Sequence, residues 1–486
     1  MKTGLDRVDS FGGTDADGDA LLKDCFEDHP AYRAVRSHRK NLVRGRKGAG
    51  KTAIFKRLVR ESGNDVSASG YSFEDYPWYH HSLQEEVGVP AERRYVHSWK
   101  YLILLGLTQT ILEAARKSFW SENESVMSAL AALEDFMIDS YGSIRPGLNQ
   151  LFNPQYTLRW KGGVNLGFAN FGADRVSMES LPIHIQAVNA QIQQNLFAAM
   201  NPNVEYFVCF DQLDHGFSTS DPHYHDRIAG LLIAARELFH AAKDAQIRCN
   251  PVVFLRDDIF ESLSFEDRNR IRGDSYLLQW EPDSGVVNLK TLMESRFGEV
   301  LGTESKPEVS WEEIFDEGER MTRRQTKLAH ITDRTYLRPR DMIQFCNEIL
   351  DSHKQGEPVS TMITNADITE ARTNYSRYLL DELDDEVKKH IPEYKDYLKV
   401  IQAVGAESFT AEEFRTALEE RIPGASPEVV LEGLFRFSVI GYLRPGGAGG
   451  GSHWIWQYKD PREKFDSRST ELKTHRGLKE ALGLVG

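Results

Sequence analysis

Cysteine is scarce. The chain of 486 residues carries four, at Cys25, Cys209, Cys249 and Cys346, none of them in C-x-x-C spacing. That pattern excludes a disulfide framework or a structural zinc site and suits a reducing compartment. Long apolar runs are missing as well: Tyr101 to Leu107 falls far short of the ~18 residues that a membrane span needs. The first residues, Met1 to Asp6, run straight into acidic sequence without the basic-then-apolar start of a signal peptide. A cytoplasmic protein with no membrane partner is therefore expected. Basic surplus is also lacking. Lys and Arg number 59 against 73 Asp and Glu, a net charge of −14, which opposes coating nucleic acid or anionic lipid over the whole surface.

Against that acidic background, one segment stands out. From Ala31 to Arg60 there are eleven Lys or Arg and no Asp or Glu, so an anion is expected there. Within it, Asn41-Leu42-Val43 reads as the end of a buried strand. Gly45-Arg46-Lys47-Gly48-Ala49-Gly50-Lys51-Thr52 follows, and then a helical run from Ala53 to Val59. This is G-x-x-x-x-G-K-T between a strand and a helix, the setting of a phosphate-binding P-loop. Glycines Gly45, Gly48 and Gly50 let the backbone turn so that its N–H groups, with those of Ala49 and Ala53, encircle phosphate oxygens. The helix start adds partial positive charge. Lys51 is expected to reach the β- and γ-phosphates of ATP, and Thr52 to ligate Mg²⁺.

Such a loop calls for a second strand that ends in a metal-holding carboxylate. Val204 to Phe210 is a near-continuous apolar row, as in a central parallel strand. Asp211 stands at its carboxyl end, where ligands of open α/β sheets gather. Asp211 and Thr52 are the expected metal residues. A Glu directly after this Asp is common in ATPases, but here Gln212 stands there. Asp214 either orients an attacking water or is a turn residue, so slow hydrolysis is expected. A third strand, Pro251 to Leu255, leads into Arg256, which either senses the γ-phosphate or pairs with Asp257 or Asp258. Tyr276 to Trp280 reads as a last strand.

From Lys51 to Asp211 the chain is too long for one βαβ unit, which needs only ~30 residues. An insertion at about 75–200 is therefore expected. In it, Tyr156, Leu158 and Trp160, then Val164, Leu166 and Phe168, alternate around Lys161-Gly162-Gly163 as a β-hairpin would. Val286 to Phe297 reads as helical, and Arg338-Pro339-Arg340-Asp341 introduces an amphipathic helix. Arg338 or Arg340 either reaches a nucleotide from a helical lid or is solvated. The acidic run Asp381 to Glu386 reads as a solvated helix face.

Two metal-like strings are rejected. Asp15-Ala16-Asp17-Gly18-Asp19 has Ala20 and Phe26 where a calcium loop needs Gly and Glu. His223 to Asp226 reads as a surface loop. Further on, Thr410 to Glu413 is a capping box, and Ser426-Pro427 opens a second helix to about Phe437. The strands around Tyr442 and Trp454 then complete the outline of a winged helix. Its second helix offers Glu428, Glu432 and only Arg436, so a protein-facing role is favoured over DNA readout.

Phe11-Gly12-Gly13-Thr14-Asp15, the P-loop, Asp211-Gln212-Leu213-Asp214, Leu255-Arg256-Asp257-Asp258 and Arg338-Pro339-Arg340-Asp341 together resemble bacterial P-loop ATPases of the STAND and KAP type, similar in core to AAA+ proteins. The resemblance implies an α/β P-loop NTPase core at 1–280, a helical lid at 281–375 and a winged-helix-like domain at 376–486. It implies an ATP-hydrolysing switch that assembles as a homo-oligomer and signals to a separate effector or sensor, as many relatives do in antiviral defence. Lys51, Thr52 and Asp211 carry over directly; Asp214, Arg256 and Arg340 are further candidates. The alternative is a DNA-binding AAA+-like ATPase that loads or remodels nucleic acid.

Overall fold

The computed structural model describes residues 4–61, 63, 65–73, 93–117, 120–147, 150, 158–159, 175–176, 181–216, 222–356, 360–446 and 451–486. The chain divides into two compact units: one holds residues 28–46 and 51–278, the other 1–27, 47–50 and 279–486. The first 27 residues, placed with the core by the sequence pattern, thus group with the carboxyl-terminal half.

The unit of residues 28–46 and 51–278 is an α/β fold around a five-stranded parallel sheet. Its strands are β1 (Leu42–Gly45), β2 (Val66–Ser72), β5 (Glu205–Asp211), β6 (Cys249–Arg256) and β7 (Ser275–Leu277), in spatial order β2-β5-β6-β1-β7. Two short strands, β3 (Leu158–Arg159) and β4 (Arg175–Val176), form a separate antiparallel pair. Every residue of β5 and β6 is buried. A parallel sheet covered on both faces needs side chains that are apolar on both, which explains their unbroken hydrophobic runs.

The helix Lys51–Arg60 buries Ile54 and Leu58. It lies close to β2 because Gly70 has no side chain: a Cβ there would stand 2.6 Å from Phe55 and 2.7 Å from Val59. The run Tyr101–Leu107 is buried on every side within the helix Val96–Lys117, and so needs no membrane to explain it. That helix shares one core with the helices Glu124–Tyr141, Leu181–Ala199 and Pro222–Asp244. Among the described residues, no helix is long and apolar enough to cross a membrane.

Leu158 pairs with Val176, and Arg159 with Arg175, so the partner strand lies beyond the predicted Lys161-Gly162-Gly163 turn. That turn and the expected strand from Val164 to Phe168 fall outside the described residues. The string His223–Asp226 is not a loop; it forms the first turns of the helix Pro222–Asp244. Proline at the first helical position loses no hydrogen bond, and Tyr224 is buried, donating to the Leu213 carbonyl at 3.1 Å.

The other unit is largely helical, with a small antiparallel sheet. A capping box of Asn288 and Thr291 starts the helix Leu289–Leu301, and one of Thr364 and Asp367 starts the helix Asn365–Val387. Pro339 opens the helix Pro339–Gln355. The predicted boundary between 375 and 376 falls inside the helix Asn365–Val387, whose Tyr375, Leu379, Leu383 and Val387 continue one buried stripe. Residues on both sides of that position share a single core. Beyond it come the helix Tyr394–Val404, β8 (Ser408–Thr410), the helices Ala411–Arg421 and Pro427–Arg436, β9 (Ile440–Arg444), β10 (His453–Ile455) and β11 (Glu471–Thr474). The four strands pair in the order β10-β9-β11-β8.

Candidate functional site

In the sheet-bearing unit, three adjacent strands end side by side. β6 pairs with β1 through Gly45↔Arg256 and with β5 through Phe210↔Val253. All run parallel, so their carboxyl ends share one edge. β1 lies between β6 and β7, and ligands of open parallel sheets gather beyond such carboxyl ends. Lys51, Thr52, Asp211, Asp214 and Arg256 all lie at this edge.

Their charges act on one another across this edge. The Thr52 hydroxyl donates to the Asp211 carboxylate. Asp211 is buried, and its Oδ2 has no hydrogen-bond partner. Burial pushes its carboxyl above the ordinary value of 3.8, offset in part by Thr52, the Gln212 N–H and Lys51. Gln212 follows with φ +60°, a left-handed conformation that costs a residue with a side chain about 1 kcal/mol. Lys51 Nζ donates to the carbonyls of Gly45 and Arg46, both at 3.0 Å. Desolvation lowers its ammonium pKa against the pull of Asp214 and Asp211.

Arg256 is buried and fully engaged. Its Nε and NH2 grip Asp258 at 3.0 and 2.7 Å, and NH1 reaches Asp214 at 3.2 Å. Of the two expected salt-bridge partners, Asp258 is therefore the one used, while Asp257 pairs with Arg44 at 2.6 Å. Burial would raise the Asp214 carboxyl, but Arg256 and Lys51 outweigh it and hold Asp214 below its ordinary value. Asp214 is thus an ionised, fixed acceptor three residues from Asp211.

Loop residues 47–50 belong to the other unit, and its side chains hold them by their carbonyls. Arg338 NH1 donates to Lys47 O at 3.0 Å, the Arg340 backbone N–H to Gly48 O at 3.4 Å, and the Trp280 indole to Ala49 O at 2.9 Å. In a trans peptide the next N–H points opposite to the carbonyl. Tying three successive carbonyls therefore aims the N–H groups of Gly48, Ala49 and Gly50 the other way, as a phosphate cradle requires. Gly48 and Gly50 have φ +76° and +102°, values that L side chains resist. A Cβ on Gly48 would also stand 2.9 Å from Arg340 Cβ.

Two neighbouring arginines play different parts. Arg338 is 2% exposed, pairs with Asp341 at 2.9 Å and with Glu386 at 2.5 Å, and anchors the loop. It is neither solvated nor poised for a nucleotide. Arg340 is partly exposed; its Nε donates to Thr14 O at 3.0 Å and NH1 to Glu382 at 2.8 Å. The acidic run is accordingly not a merely solvated face: Glu382 and Asp385 also pair with Lys47, at 3.5 and 2.8 Å. Trp280, expected to close a strand, stands beyond the end of β7 at Leu277. Asp19 of the rejected calcium string is consumed by Arg296 at 2.6 Å and by the Gly13 N–H at 3.0 Å.

The residues present fit a hard cation. Asp211 Oδ2 is an unsatisfied buried oxygen beside the Thr52 hydroxyl, and Mg²⁺ takes such oxygens. Among the described residues, no three His, Cys, Asp or Glu side chains cluster to hold a metal unaided. A cation here would complete its shell with water and phosphate oxygens, as Mg²⁺ commonly does.

Residues 287–384 are similar to the family described as the FunZ-associated C-terminal helical domain. This span, well short of half the chain, runs from the helix Leu289–Leu301 into the helix Asn365–Val387 and includes Arg338, Arg340 and Glu382. No curated protein matches the chain.

Proposed function

We propose that the chain is an ATP-binding, slowly ATP-hydrolysing molecular switch with a P-loop NTPase core of the AAA+/STAND-like kind. The observation that carries this reading is the peptide geometry of the loop, with three successive carbonyls tied back so that the N–H groups of Gly48, Ala49 and Gly50 are aimed the other way. The strand-end carboxylate Asp211, hydrogen-bonded by Thr52 and with one oxygen unsatisfied, supports a metal-bound triphosphate as the ligand.

In this reading the loop N–H groups and Lys51 bind the phosphates. Thr52 and Asp211 hold Mg²⁺, which when bound neutralises charge on the phosphate oxygens. Asp214, kept ionised by Arg256, orients the attacking water. With Gln212 where many ATPases place Glu, and with Arg256 already committed to Asp258 and Asp214, turnover is slow. Hydrolysis resets a nucleotide-dependent homo-oligomer that signals to a separate effector or sensor protein. The winged-helix-like order of the carboxyl-terminal helices and strands, with Glu428 and Glu432 on its second helix, favours a protein partner over DNA. A setting in antiviral defence rests on the family resemblance alone.

Titration with ATP·Mg²⁺ tests the reading. Wild type should bind, Lys51→Ala should bind at least tenfold more weakly, and light scattering should rise on adding ATP. Equal binding by wild type and Lys51→Ala would overturn the assignment.

A further inference from the structure

Two loop-associated cations, Lys47 and Arg340, share the Glu382 carboxylate. Glu382 accepts from Arg340 NH1 at 2.8 Å and lies 3.5 Å from Lys47 Nζ, while Asp385 takes the same ammonium at 2.8 Å. Five carboxylates, Asp381, Glu382, Asp384, Asp385 and Glu386, crowd this end of the helix. Glu386 serves buried Arg338, and Asp384 pairs with Lys395 at 2.6 Å. Glu382 and Asp385 are the two that meet the loop cations.

We propose that Glu382, assisted by Asp385, is an internal competitor for the anionic ligand of the loop. It holds Lys47 and Arg340 in the ligand-free chain and must release them when a nucleoside triphosphate binds. This regulatory role rests on the nucleotide reading above. Contrast with Arg338 supports it. The Arg338 pairs are 0–5% exposed and cannot exchange partners without leaving charges buried. The side chains of Arg340 and Glu382 are each 19% exposed and that of Lys47 is 23%, so water can reach them while they exchange. Arg340 lies against Gly48, and its guanidinium is held by the Thr14 carbonyl and by Glu382. Its fork suits a phosphate as well as a carboxylate. A triphosphate on the loop would also be repelled by Glu382 and Asp385 for as long as they stay in place.

The experiment is calorimetric titration of the full chain with ATP·Mg²⁺. Variants are Glu382→Gln, Glu382→Asp, Asp385→Asn and, as a control, Lys51→Ala. Glu382→Gln should bind about five- to tenfold tighter than wild type, Glu382→Asp should return toward wild type, and Asp385→Asn should tighten binding by a smaller factor. If Glu382→Gln binds equally or more weakly while Lys51→Ala still loses affinity, the competitor role is wrong and the nucleotide reading stands. Glu382→Asp binding as tightly as Glu382→Gln would also overturn it, because the charge would then not matter. Should Glu382→Gln not fold, the largely exposed Asp385→Asn decides: tighter binding supports the role and unchanged binding refutes it. If wild type and Lys51→Ala bind alike, the nucleotide reading itself fails.

Discussion

Trp280 and Ala49, 231 positions apart in sequence, are joined by an indole-to-carbonyl hydrogen bond of 2.9 Å. The bond orients the peptide that presents the Gly50 N–H, so an aromatic ring far along the chain shapes the glycine-rich loop. Trp280→Phe keeps most of the buried ring and removes the donor. One buried hydrogen bond is worth about 1 kcal/mol, so ATP·Mg²⁺ affinity should fall about three- to tenfold while the unfolding midpoint moves by only a few degrees. Unchanged affinity in a titration would show that Arg338 and Arg340 suffice to hold the loop.

The two left-handed glycines separate backbone strain from steric conflict. A side chain at Gly50 meets no atom within 4 Å, whereas one at Gly48 meets Arg340 Cβ at 2.9 Å and Cδ at 3.0 Å. Gly50→Ala should therefore cost about 1–2 kcal/mol through φ alone. Gly48→Ala should cost more and should displace Arg340. Denaturant melts should rank the variants in that order, with nucleotide binding lost more completely in Gly48→Ala.

The glycine-rich loop between β1 and the helix Lys51–Arg60 is legible in sequence because its residue types stand at fixed local spacing. Gly45 to Thr52 needs no distant partner to be recognised, and Asp211 announces itself by ending an apolar strand. The carbonyl donors Arg338 and Trp280 carry no such mark, since their role depends on which loop the fold brings to them. Arg338 and Arg340 are two residues apart and chemically identical, yet one is buried on Glu386 and the other turns to Glu382. Helical periodicity likewise puts Glu382, Asp385 and Glu386 on one face of a helix without saying what that face meets. At His223–Asp226 the sequence is ambiguous because Pro222 is a helix opener as readily as a loop residue.

Asp211 has a pH signature. Burial raises its carboxyl above 3.8, so between 3.8 and that raised value the native state holds a proton that the unfolded chain releases. The resulting stabilisation is fully present below 3.8 and is lost as pH rises through the native value. Above that native value the ligand-free protein carries an unfavourable buried charge. Asp211→Asn removes it and should be at least as stable as wild type there, the advantage shrinking as pH falls through that value. The extra stabilisation that Mg²⁺ adds to ATP binding should fall by about 2 kcal/mol in this variant. Thermal melts with and without Mg²⁺ read both effects.

His330 makes the opposite prediction for the mainly helical unit. It is almost wholly buried, neither ring nitrogen has a hydrogen-bond partner, and Arg334, Arg372 and Arg476 lie close enough to repel a proton. Burial first, and then these cations, lower its pKa from 6.5 to about 3. Between those values the unfolded chain binds a proton that the native state refuses, so the contribution is complete above 6.5 and drains away as pH falls toward 3. The slope is at most ~1.4 kcal/mol per pH unit and smaller where water screens the group. His38 in the sheet-bearing unit, lowered to about 4 mainly by burial, adds a second such term there. Unfolding midpoints should therefore decline steadily from pH 6.5 to 5. His330→Gln, which cannot take the proton, should flatten the part of that decline that belongs to the helical unit. An unaltered slope in this variant would mean that His330 already admits a proton in the folded chain.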